Sequence, residues 1–127
     1  MTTPPVEFDK GALVYRRDGW ICRYCSVDGK TSFANWRALT WDHLLPEGSA
    51  RRDDHEFIVT ACSSCNELLA RFFDHARRAN LNLESFSPEQ LVAMRLEHIQ
   101  ERVAEYHRYW LTHVAPFAGP SIGSVRR

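Results

Sequence analysis

The chain has 127 residues, of which 44% are hydrophobic, 12% aromatic and 25% charged. That suits one domain able to bury roughly two-thirds of its unfolded surface and excludes a wholly disordered, collagenous or mucin-like polymer. Sixteen basic side chains balance sixteen acidic ones, so no global field marks the chain as a partner of nucleic acid or of an anionic membrane. Only Lys10 and Lys30 are lysines; the rest are arginines, whose planar fork grips phosphate in two places. No run approaches the roughly 18 apolar residues of a membrane span, and no membrane is expected as partner. The start MTTPPVEFDK lacks a basic segment leading into an apolar one, so the expected location is cytoplasmic.

In chain order, residues 1–6 read as an arm, 7–80 as the core, 81–115 as a C-terminal helical extension and 116–127, rich in Gly, Pro and Ser, as a flexible tail. A short helix is expected over 7–17, with Phe8, Ala12 and Tyr15 near one face and Asp18-Gly19 closing it. Cys22-Arg-Tyr-Cys25 follows, then turn chemistry in Val27-Asp28-Gly29-Lys30. WRALTWDHLL, residues 36–45, favours a strand through Leu39, Thr40 and Trp41. A polar loop spans 46–54, and Phe57-Ile58-Val59-Thr60 is a second strand that runs into Cys62-Ser-Ser-Cys65.

After that second cysteine pair, Leu68, Leu69, Phe72, Phe73 and Ala76 form the apolar stripe of one helix. Ser87-Pro88-Glu89-Gln90 is a capping-box start with proline at the first helical position, opening a helix to about His113. Along it Val92, Leu96, Ile99, Val103, Tyr106 and Trp110 make a heptad-like seam that needs a partner surface. Packing within the same chain is the first expectation, a homodimer through this C-terminal helix the second. The fold class is small α+β, with a short N-terminal and a long C-terminal helix.

The two CxxC pairs carry the chemistry. In a reducing compartment, thiols at i and i+3 on a tight turn can share one soft cation, and two such turns complete a tetrahedral structural zinc site, Cys22, Cys25, Cys62 and Cys65. Two redox motifs or unrelated buried thiols are the alternatives, although one redox pair would suffice and would open a helix after a strand. Between the pairs lies Asp42-His43, and directly after the last cysteine comes Asn66. A carboxylate and a carboxamide oxygen are hard donors suited to Mg²⁺ or Mn²⁺, and an imidazole beside them can take a proton from water.

At these residues the sequence resembles the HNH endonuclease family in its zinc-stapled form. The resemblance runs over 15–71, through YRRDGWICRYC, LTWDHLLPEG and FIVTACSSCN. It implies a ββα-metal core and hydrolysis of phosphodiester bonds in nucleic acid, most expectedly DNA. Asp42 matches the ligand of a catalytic Mg²⁺ or Mn²⁺, His43 the general base, and Asn66 the third-motif residue; the four cysteines match the structural zinc ligands. Phe57 stands where the family usually carries an asparagine, whose hydrogen bonds hold the loop behind the catalytic histidine. His55, Asp54 or Asp53 is expected to supply them instead, His55 first. Arg51, Arg52, Arg71, Arg77 and Arg78 are the candidate phosphate contacts. The competing reading, favoured by Phe57 and the zero net charge, is a catalytically weak or inactive zinc module that binds nucleic acid or a protein partner. His75, His98, His107 and His113 read as helix-surface or seam residues, and Trp20, Tyr24 and Trp36 as core around the cysteine pairs.

Overall fold

A computed structural model describes residues 6–119, with side chains from residue 12 onward. The expected arm, apart from Val6, and most of the expected tail lie outside the described residues, as does the side chain of Phe8. Helix α1 (Val6–Arg17) is followed by the first cysteine turn, a one-turn helix α2 (Phe33–Arg37) and strand β1 (Leu39–His43). After the loop comes β2 (Ile58–Cys62), then α3 (Ser63–Leu68), α4 (Phe72–Arg78) and the long α5 (Pro88–His113). The chain is therefore a small α+β protein with one two-stranded antiparallel sheet. Among the described residues no helix is long and apolar enough to cross a membrane.

The strands pair in the register Leu39 with Cys62, Trp41 with Thr60 and His43 with Ile58. Every residue of β2 is buried, the polar Thr60 included, because α1 packs beside the strand and the rest of the core covers it. Leu44 and Leu45, just past β1, are fully buried and continue that core toward Phe57, Leu91 and Ile99. Phe57 is itself 2% exposed, with the Arg51 guanidinium 4.4 Å from its ring centre. The position that departs from the family pattern is thus an apolar core position.

Helix α1 is stapled to β2 by its last residue and by the aspartate that closes it. Arg17 donates to the carbonyls of His55 (2.8 Å) and Ile58 (2.7 Å), and the Asp18 carboxylate accepts from the Thr60 backbone N–H at 2.8 Å. Among the described side chains of this helix, Val14, outside the expected face, is the buried apolar one at 1% exposure.

The expected single helix after Cys65 is two. The apolar stripe survives, since Leu69, Phe72 and Ala76 are buried with Leu68 and Phe73 packed against them. The first helix ends at Leu68, and Arg71, the N-cap of the second, takes a left-handed conformation, φ 71°, that turns the chain into it. The α5 start is as expected: the Ser87 hydroxyl accepts from Gln90 N–H while the Gln90 side chain accepts from Ser87 N–H. Its buried face is offset from the expected seam. Leu91, Arg95, His98 and Ile99 are buried, whereas Val103, Tyr106 and Trp110 are exposed, Tyr106 at 54%. The first half of α5 is a core helix, and the second half runs past the core.

Candidate functional site

The four cysteine sulfurs form one cluster, all within 4.8 Å of one another, with Cys22, Cys62 and Cys65 buried and Cys25 exposed. Cys25 Sγ and Cys62 Sγ are 3.6 Å apart, near the roughly 3.8 Å edge of a tetrahedron with zinc–sulfur bonds of about 2.3 Å. Backbone N–H groups already point at the sulfurs: Tyr24 N–H donates to Cys22 Sγ and Cys65 N–H to Cys62 Sγ, both at 3.4 Å. The second of these bonds is also the N-cap of α3. Burial would push the Cys22 thiol up, but backbone N–H groups of Cys25, Tyr24 and Cys62 hold it below the ordinary thiol range. Cys65 is pushed well up, by burial first and then by the charge at Cys22. Four thiolates this close repel one another, and a divalent cation between them removes that cost. The donor set fits zinc.

The cluster is tied to the sheet. Arg23 N–H donates to the Thr60 carbonyl at 2.9 Å, and Ser63 N–H to the Ala38 carbonyl at 2.7 Å. This fixes the start of α3, and with it Asn66, whose Nδ2 lies 3.4 Å from the Trp41 carbonyl on β1. Sequence spacing therefore brings Asn66 to the strand that carries Asp42 and His43.

Asp42 and His43 leave that strand on opposite faces, as its period of two requires. His43 Nε2 lies 3.6 Å from an Asp53 carboxylate oxygen, and its side chain is 25% exposed. Asp42 turns inward, its side chain 7% exposed. Its Oδ2 accepts from Arg95 Nε at 2.8 Å and from the Tyr24 hydroxyl at 2.5 Å, and its Oδ1 accepts from Arg95 Nη2 at 3.3 Å. Burial first, and the adjoining Asp42 charge next, push the Tyr24 hydroxyl far above the ordinary phenol range, so it stays a donor. The Asp42 charge is thus already neutralised by a guanidinium held in bidentate geometry. A second cation at Asp42 would have to displace Arg95, so in this arrangement the Asp42–Asn66 pair does not fit a resident Mg²⁺ or Mn²⁺.

Arg95 was outside the sequence-based candidates, and it does more than pair with Asp42. It also donates to the carbonyls of His43 (2.8 Å) and Leu44 (3.2 Å). The hydrogen bonds behind the histidine, expected from His55, are supplied here by Arg95, 52 positions beyond His43. The His55 side chain is exposed at the start of a short turn before β2. Nothing local to Arg95 signals the role; the available clue was that a buried carboxylate requires a cationic partner.

The candidate arginines divide. Arg52, Arg71 and Arg77 converge on one cleft of about 480 Å³ between the 46–54 loop and α4, together with Glu47 and Asp74. Arg77 pairs with Asp74 at 3.0 Å, and Arg52 lies 3.7 Å from the same Asp53 oxygen that faces His43. Among the described residues Arg71 has no ion pair. Arg51 pairs with Glu56 at 3.2 Å, and Arg78 sits exposed at the end of α4. Of the aromatic residues expected in the core, Tyr24 is buried, Trp20 is half-buried, and Trp36 is 45% exposed, stacked on Phe33. His98, expected on the helix surface or in the seam, is buried. Comparison with family models, with curated proteins and with solved structures gave no match.

Proposed function

We propose that this chain is a zinc-stapled nucleic-acid phosphodiesterase built on a ββα-metal core of the HNH type, with DNA as substrate. The observation that carries this reading is the continuity of His43, Asp53 and Arg52 with the arginine-lined cleft. A phosphate backbone in that cleft meets the guanidinium groups of Arg52, Arg71 and Arg77, which position it without reading bases. His43, linked to the cleft through Asp53 and Arg52, takes a proton from the attacking water. The Asp53 carboxylate beside Nε2 stabilises the imidazolium that forms. Asn66 steadies the strand beneath His43 through the Trp41 carbonyl. The Mg²⁺ or Mn²⁺ that the family resemblance implies finds no free carboxylate at Asp42, which Arg95 holds.

That same occupation of Asp42 specifically favours a second reading, a zinc module that binds nucleic acid without cutting it. Supercoiled plasmid with Mg²⁺ or Mn²⁺, incubated with the zinc-loaded chain and with His43→Ala, separates the two. The first reading expects nicking that falls about 100-fold or more in the variant; equal nicking by both removes it. No nicking by either, with duplex binding whose salt dependence weakens by about one unit in Arg71→Ala, leaves the second.

A further inference from the structure

Away from the cleft, α4 and α5 bring two imidazoles together. The rings of His75 and His98 have centroids 5.3 Å apart at 61°. Two imidazoles bound to one ion through nitrogens about 2.0–2.1 Å from it place their ring centres roughly 5 Å apart, so the spacing matches a shared cation. His98 is 8% exposed, and its buried Nε2 has no hydrogen-bond partner among the described residues. A buried polar nitrogen left this way is costly unless something binds it. His75 is exposed and can turn toward a common ion.

The carboxylates are on hand. Glu101 lies one helical turn beyond His98 and lines, with both histidines, the two adjoining clefts of about 380 and 480 Å³. A histidine and a glutamate three apart on one helix project to the same side. Glu97 lines the first cleft as well. Of the cations near the pair, Arg95 is held by Asp42, Arg102 is engaged by Glu105 at 3.4 Å and by the Tyr106 hydroxyl at 3.1 Å, and Arg108 lines the second cleft. Among the described residues only the cysteines form a ready-closed ligand set, so a site at this pair requires Glu101 to change rotamer.

We propose that His75, His98 and Glu101 form a second metal site, separate from the cysteine cluster and selective for imidazole-binding divalent ions of the zinc and nickel type. The test uses the full, untagged chain with its cysteines filled by zinc, titrated with Ni²⁺ in a calorimeter while elemental analysis confirms that the zinc stays bound. One Ni²⁺ equivalent is expected, weakened at least tenfold in His75→Ala and in Glu101→Gln, and unchanged in His113→Ala. Both weakening substitutions are at exposed positions, and circular dichroism checks that the fold is kept. Paramagnetic broadening of the His75 and His98 ring resonances, with His113 spared, reports the same site without hydrolysis as a readout. Absence of a Ni²⁺ equivalent, or one that persists at full affinity in His75→Ala, overturns the proposal.

Discussion

Replacing Arg95 by methionine removes a guanidinium that makes four bonds in the interior. Two go to Asp42, at 2.8 and 3.3 Å, and two to the carbonyls of His43 and Leu44. Both partners of the ion pair are buried, their side chains 2% and 7% exposed. Methionine keeps most of the volume, and with it the packing on Phe72 and Phe73 whose ring centres lie 4.6 and 5.0 Å from the guanidinium carbon. What is lost is charge. The Asp42 carboxylate keeps only the Tyr24 hydroxyl, and breaking a buried pair in this way costs about 3–5 kcal/mol, a large part of the roughly 5–15 kcal/mol that holds a domain together. In a chain of this length that amounts to a fall of roughly 10–20 °C in Tm. Urea unfolding of the zinc-loaded chain, followed by far-ultraviolet circular dichroism, measures it. The double variant with Asp42→Asn should cost less than the two single changes added together, by more than about 1 kcal/mol, because each single change strands the other partner. Arg95→Met within about 0.5 kcal/mol of the parent, or strict additivity with Asp42→Asn, would refute the clasp.

Asp18→Asn tests the junction of α1 with β2. Its carboxylate accepts from Thr60 N–H and pairs with Arg17 at 3.0 Å and Arg23 at 3.3 Å, and the substitution should cost about 1–3 kcal/mol near neutral pH. Burial pushes the Asp18 pKa up, but the Arg17 and Thr60 hydrogen bonds outweigh it and leave the carboxyl below its ordinary range. In the unfolded chain Asp18 titrates near pH ~3.9, so its stabilisation is complete above that value and disappears as pH falls through the lower folded one. The parent-minus-variant difference, in which zinc loss common to both cancels, should shrink below about pH 4; a difference that stays flat into stronger acid contradicts the assignment. For the cysteine cluster, one zinc per chain is expected by elemental analysis, with Cys62→Ala abolishing it and fraying α3, whose cap is the same sulfur. Chelation should lower the melting midpoint strongly, since structural zinc contributes on the order of 10 kcal/mol in small domains; identical melting with and without chelator would remove zinc from the fold.

Much of this was readable where the relevant chemistry is short-range. The capping box at Ser87, the strand at Leu39–His43 and the convergence of two CxxC turns depend on neighbours a few positions apart, or on a ligand demand that permits one arrangement. The apolar stripe from Leu68 to Ala76 identified the buried residues correctly but not the break within it. Periodicity carries no mark of Arg71 leaving the helical region, because nothing in an arginine's own propensity asks for a positive φ. The seam of α5 was similarly half legible. Its spacing is helical throughout, yet whether Val103 and Tyr106 meet a partner depends on where the rest of the core ends.

By itself, then, the sequence determined the cysteine cluster, the two strands, the first and last helices and the adjacency of Asn66 to the strand of Asp42 and His43, since each follows from local geometry or from sulfur's need for a shared cation. Only the tertiary structure decided that the buried carboxylate of Asp42 belongs to Arg95 and Tyr24, that Arg52, Arg71 and Arg77 share a cleft, and that His75 meets His98. The physical reason is common to all three. A charge or a lone pair accepts any complementary group that folding brings within reach, and which of fourteen arginines or six histidines arrives is set by how the helices pack.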